Sequence, residues 1–206
     1  MRVALNNWLR RVPTWLVWLA GAVPLGLVIA DAVTGRLGVD PVRSIEHRLG
    51  RTALYLLIAS LAVTPVLRLA RINAMRHRQA LGLLCFAYAA CHVASWVLLD
   101  MGLLWAQMAQ DVIRRPYLLF GMAAFLALGA LAATSNRLSM RGLGGGWRRL
   151  HRLSYPAVIL AGLHWIWSLK VVEPWPAAIL AAILLLLASR LLPWRPPRTE
   201  LPAARA

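Results

Sequence analysis

RRLHRLSYPAVILAGLHWIWSLK, residues 148–170, opens on arginines, turns apolar, and then sets His164 among Leu, Ala and Trp. An ionisable ring that deep in an apolar run is costly, and such residues inside membrane segments usually mark function. The run is one of six apolar blocks, at roughly 13–31, 52–70, 80–99, 117–134, 154–171 and 174–192. Each is near the length that crosses a hydrocarbon core of about 30 Å. Sixty per cent of the 206 residues are hydrophobic, where a soluble domain of this size is nearer half. The expected fold is therefore all-α: an integral membrane bundle of six helices in one domain over residues 1–192. PWRPPRTELPAARA, residues 193–206, has the composition of a disordered tail. Pro24, Pro65 and Pro156 fall inside the blocks, which membrane helices tolerate with a kink. The first block has no small-residue cleavage site behind it and is expected to be retained rather than removed as a signal peptide.

The net charge of +16 does not call for a nucleic acid. The basic residues stand in short tracts between apolar blocks. The side holding the N-terminus, the loops near 71–79 and 135–153 and the C-terminus carries 16 of the 23 Lys and Arg and one of the seven acids. The positive-inside rule then puts both termini in the cytoplasm. GLGGGWRRLH, residues 142–151, lacks the pattern of a phosphate-binding loop and is expected to be a flexible turn before a basic helix start. Cys85 and Cys91 share one block without CxxC or zinc spacing and read as packing residues. No internal repeat is visible.

Of the five histidines, His92 and His164 lie inside blocks. Both helices run outward, and each histidine lies about seven residues from the outer end, so the two share one depth. Two imidazoles at one level on two helices can grip one object. The face around His92 carries Cys85, Tyr88, Ala89, Ser95 and Trp96; that around His164 carries Ala157, Leu160, Ala161, Trp167 and Ser168. Small residues one turn below each ring leave room for a flat macrocycle, and they serve equally for close helix packing. A zinc site would want three or four ligands, and no acid lies near either ring in these blocks. Two neutral imidazoles suit a six-coordinate haem iron, which favours electron transfer. A proton relay would recruit Asp or Glu within the membrane. His151 lies about 20 Å below His164 if the helix is continuous, and about 140° round it. His77 and His47 sit in charged flanks, where a solvated ring is the simpler reading. Arg51, Arg76 and Arg78 could reach a haem propionate or a flavin phosphate, but charged helix flanks usually serve as topology anchors.

Three strings carry a resemblance: GVDPVRSIEHRLGRTALYLLIASLAVTPVLRL at 38–69, RRPYLLFGM at 114–122, and WRRLHRLSYPAVILAGLHWIWSLK at 147–170. Their order and spacing resemble the MsrQ (YedZ) family, part of the wider group with a ferric-reductase-like transmembrane domain. The resemblance implies a six-helix protein of the bacterial inner membrane that binds haem b. It implies electron transfer from membrane quinones to a periplasmic MsrP-type molybdopterin reductase that repairs methionine sulfoxide. The family is also associated with FMN, for which the sequence shows no pocket. The family's haem-linked histidines fall on His92, His151 and His164 as candidate iron ligands. Ferric-reductase-like domains commonly hold two stacked haems through four paired histidines. Here the position 13 before His92 is Gln79, and His77 is two residues off. His151 is left either with an unusual partner or with another role. The rival readings are a stand-alone ferric or quinone-linked reductase and a His-lined transporter; a transporter should show more intramembrane polar groups and repeat symmetry.

Overall fold

A computed structural model describes residues 2–169 and 173–191; the tail at 193–206 lies outside the described residues. The chain is all-helical there, without a strand. The helices are α1 (Arg2–Arg11), α2 (Thr14–Val33), α3 (Pro41–Ala70), α4 (Arg78–Ser95), α5 (Trp105–Arg114), α6 (Pro116–Ala133), α7 (Arg137–Leu143), α8 (Gly145–Leu150), α9 (Ser154–Ser168) and α10 (Pro174–Ala188).

Among the described residues four stretches are long and apolar enough to cross a membrane: Thr14–Val33, Pro41–Ala70, Met75–Asp100 and Pro116–Ala133. The fifth and sixth expected spans are α9 and α10, each of 15 residues, about 22 Å long and short of a hydrocarbon core. These helices have the length and composition of a multi-pass membrane protein.

α3 departs most from expectation. Its 30 residues begin at Pro41, eleven positions before the expected start at 52. Pro41 takes the first helical position and the Asp40 carboxylate accepts from the Arg43 N–H at 3.0 Å, a capping arrangement that starts a helix before the apolar run does. The helix is about 45 Å long, and its first turns carry Arg43, Glu46, His47, Arg48 and Arg51. The Gly-rich stretch is also helical from Gly145; the turn is confined to Gly144, at φ +49°.

α3 packs chiefly on α4, and α6 on α9. The two pairs close on a core that includes Leu49, Leu57, Leu61, Leu128, Val158 and Ile183. α10 covers α9 and α3, and α2 lies along α4, mostly exposed. Pro24 breaks the hydrogen bonding of α2. The Tyr88 hydroxyl enters the gap, accepting from the Leu25 N–H at 2.9 Å and donating to the Gly21 carbonyl at 2.6 Å.

The two ends of the bundle differ. At the basic end, α1 folds against the segment after α3. Asn6 donates to the Arg71 carbonyl and accepts from the Asn73 N–H, both at 2.9 Å, and Arg76 donates to the Arg10 carbonyl. His77 is buried there with Nε2 3.3 Å from the Leu9 carbonyl, so it is not solvated as its charged neighbours suggest. Arg190 reaches back across the same end, donating to Tyr155 Oη at 3.0 Å and to the Leu61 carbonyl.

Candidate haem site

Between the α3–α4 and α6–α9 pairs lies a cavity of about 400 Å³, within the range of cofactor pockets. Its deep end is apolar, lined by Leu54, Leu57, Cys85, Phe125 and Leu128. Its open end, opposite the basic end, carries Asp40, Arg43, Glu46, His47, Arg51, Asp100 and Arg115. His92 of α4 and His164 of α9 face each other across it, with ring centroids 6.2 Å apart and planes 72° apart.

Each ring is held in the same way. His92 Nδ1 lies 2.9 Å from the Glu46 carbonyl, and His164 Nδ1 lies 2.7 Å from the Tyr117 carbonyl. A carbonyl only accepts, so both Nδ1 atoms carry hydrogen, and a neutral ring then keeps its lone pair on Nε2. This is the usual orienting bond behind a metal-bound histidine. The residue four beyond each carbonyl is glycine, Gly50 and Gly121. A Cβ at Gly50 would meet His92 Nδ1 at 3.3 Å, and one at Gly121 would meet His164 Nδ1 at 2.7 Å. The two glycines let the rings reach carbonyls that lie on a helix wall.

The spacing fits an iron between the rings. A metal–imidazole bond of about 2 Å, with about 1 Å from nitrogen to ring centre, gives about 6 Å across two opposed ligands. Among the described residues no group of three or more His, Cys, Asp or Glu is placed to hold a metal ion. A bare divalent ion would therefore lack ligands, whereas a haem iron brings four of its own and asks for two.

The rest of the cavity corrects the sequence in part. Cys85, Ala89, Trp96, Ala161 and Ser168 line it, as the helical faces suggested. Tyr88 turns to α2, and Trp167 packs on Phe120 at 5.5 Å between centroids and is 56% exposed; Trp165 takes its place in the wall. His47, expected in solvent, is half-buried and lines the cavity. Beyond His92 the helix widens into a π-turn, Trp96–Asp100, a distortion frequent at functional sites.

His151 is not part of this cavity. It stands at the foot of α9, at the basic end. Its ring stacks on Trp147 with centroids 3.9 Å apart, and Nε2 lies 3.2 Å from Thr134 Oγ1. Burial, and then the charge of Arg78, push its pKa below the ordinary histidine value, while the hydrogen bond at Thr134 opposes them. Gln79 donates to the Ser135 carbonyl at 2.7 Å, and His77 is engaged with α1. The structure thus brings His92 and His164 together and sets His151 apart. Gly50, Gly121 and the carbonyls of Glu46 and Tyr117 were not singled out from sequence.

Residues 49–162 match the family described as ferric reductase like transmembrane component. The chain is 41% identical over 186 residues to the protein-methionine-sulfoxide reductase heme-binding subunit MsrQ of Yersinia pseudotuberculosis serotype O:1b (strain IP 31758), covering 87% of this chain and 92% of that one. The similarity to the MsrQ of Yersinia pestis (strain Pestoides F) is also 41%, over 87% and 90%. Agreement over nearly the full length of both chains, on a membrane bundle with two opposed histidines, establishes that the chain belongs to the MsrQ family of ferric-reductase-like transmembrane proteins.

Proposed function

We propose that this protein is a haem b electron-transfer subunit of the bacterial inner membrane, which passes electrons from membrane quinones to a periplasmic MsrP-type molybdopterin reductase. The observation that carries this reading is the opposed pair His92 and His164, each with Nδ1 on a carbonyl and Nε2 free. The relatives are named as heme-binding subunits of a methionine sulfoxide reductase, which agrees with a redox role that leaves sulfoxide chemistry to a partner.

A haem held there supplies a one-electron carrier whose potential follows from its ligands and burial. The protein does the rest. The Glu46 and Tyr117 carbonyls fix the tautomer and the aim of the two rings. Gly50 and Gly121 set how closely each ring approaches its helix. Leu54, Leu57, Phe125 and Leu128 keep water from the deep end. The arrangement reads as six spans in one domain over residues 1–192, with α9 and α10 as short final spans and the basic end in the cytoplasm. The open end of the cavity then faces the periplasm, toward the acceptor. His151 stands on the electron-entry side, with Trp147 stacked on it.

The test is the absorption spectrum of the detergent-purified protein before and after dithionite. A reduced b-type spectrum that is lost in His92→Ala and in His164→Ala is the expected result. A colourless, well-folded protein would end the electron-carrier reading.

A further inference from the structure

The open end of the cavity holds two arginines that the two histidines do not explain. Arg43 and Arg51 both line the cavity, and both line an adjoining space of about 340 Å³ with Asp40, Ser44 and His47. Their neighbours are already paired. Arg36 and Arg48 share Asp31 at 3.1 and 2.5 Å, and Arg115 lies 3.4 Å from Asp111. Among the described residues no carboxylate lies within ion-pair distance of Arg43 or Arg51. Asp40 is turned to the backbone N–H of Arg43, and Arg51 uses only Nε, on the His47 carbonyl at 3.2 Å. Arg51 follows Gly50, the residue against the His92 ring, and so stands at the level of the imidazoles. Arg43 is eight residues nearer the open end, about 12 Å along the helix.

The cavity is thus polarised: hydrocarbon at its closed end, and at its mouth the carboxylates of Asp40, Glu46 and Asp100 beside three arginines, of which Arg43 and Arg51 have no ion-pair partner among the described residues. A haem has the same polarity, with vinyl and methyl groups on one edge and two carboxylates on the other. Guanidinium matches carboxylate through paired N–H donors. We propose that Arg43 and Arg51 form a carboxylate seat at the mouth of the cavity, which takes the propionates of the haem held between His92 and His164. This rests on the haem reading above and adds the orientation: propionates toward the open end, apolar edge against Leu57 and Leu128.

Esterified haem tests it. Apoprotein in detergent is loaded with haemin or with haemin dimethyl ester, which keeps the iron and ring but has no carboxylates. Loss to excess apomyoglobin is then timed for the wild type, Arg43→Gln, Arg51→Gln and the double variant. In the wild type, esterification is expected to speed loss by about ten- to a hundred-fold, the scale of charge-assisted hydrogen bonds. In the double variant native haem should leave at nearly the ester's rate, and esterification should add little. Equal retention of haemin and its ester by the wild type would overturn the seat, as would an ester effect undiminished in the variants, and both leave the haem reading standing. A wild type that takes up no haem, or a spectrum that survives His92→Ala and His164→Ala, would overturn the haem reading and the seat with it.

Discussion

The imidazole of His164 occupies the space that a side chain at Gly121 would fill: a Cβ there would fall 2.7 Å from Nδ1 and 2.9 Å from Cε1. The relation repeats at Gly50 and His92 with more room, at 3.3 and 3.4 Å. Gly121→Ala should therefore push His164 off the Tyr117 carbonyl, whereas Gly50→Ala asks its ring to give by a few tenths of an ångström. Haem per protein, read from the reduced spectrum, should fall about tenfold or more in Gly121→Ala and by less than about threefold in Gly50→Ala, losses of about 1.4 kcal/mol or more and less than about 0.7 kcal/mol in affinity. Equal occupancy in the two variants would deny the glycines this role.

His151 is at the other end of the bundle and outside the cavity. His151→Ala should leave the spectrum of the His92–His164 site in place. Haem per protein decides its role further: an unchanged ratio removes His151 from iron ligation, and a ratio falling by one haem assigns it to a second. Thr134→Val, which removes the hydroxyl 3.2 Å from Nε2, should leave the His92–His164 spectrum unchanged.

The Tyr88 hydroxyl makes up for the bonds that Pro24 disrupts in α2. Tyr88→Phe would strand the Leu25 N–H and the Gly21 carbonyl in an apolar setting, at about 1–3 kcal/mol for each buried polar group. The thermal midpoint in detergent should drop accordingly. Adding Pro24→Ala should recover most of the loss, because the helix can then satisfy its own backbone. A Tyr88→Phe protein as stable as the parent would show that the hydroxyl bridge contributes nothing.

Arg190 joins α10 to α9 and α3 through the Tyr155 hydroxyl, the Leu61 carbonyl, and a guanidinium 5.1 Å from the centre of the Tyr155 ring. A lysine cannot reproduce that fork. Arg190→Lys should lose nearly as much stability as Arg190→Ala, about 1–3 kcal/mol for the buried partners left unpaired. Full rescue by lysine would reduce the contact to its charge.

The orientation is open to labelling from either side of the membrane. With the native cysteines replaced, Ser139→Cys on α7 should react with an impermeant maleimide only in inverted vesicles, and Val39→Cys only in right-side-out ones. The reverse pattern would turn the basic end to the periplasm and contradict the charge rule.

Much of this was legible in the chain. Apolar blocks and the shared depth of His92 and His164 are local or additive properties; each block reappears in a helix, with shifted ends at α3 and a shorter reach in α9 and α10, and the two rings meet at one level. The start of α3 is legible too, in Asp40 and Pro41, which signal a helix start eleven positions before the apolar run begins. The glycine–carbonyl supports were not legible. Gly50 and Gly121 matter because a ring from another helix sits against them, and no spacing within one helix reveals that. The burial of His77 escapes the sequence for a related reason, since its cover is α1, about 70 positions away in the chain.

The length of α3 has one more consequence. At about 45 Å it exceeds a hydrocarbon core by about a half, so its first turns, with Arg43 and His47, stand clear of lipid as a rigid post rather than a loop. A protein that meets this end of the bundle finds a surface already ordered. Association then carries little of the entropy loss that comes with fixing flexible segments, and contact can be brief without being imprecise, which suits a donor that must release its acceptor after each delivery.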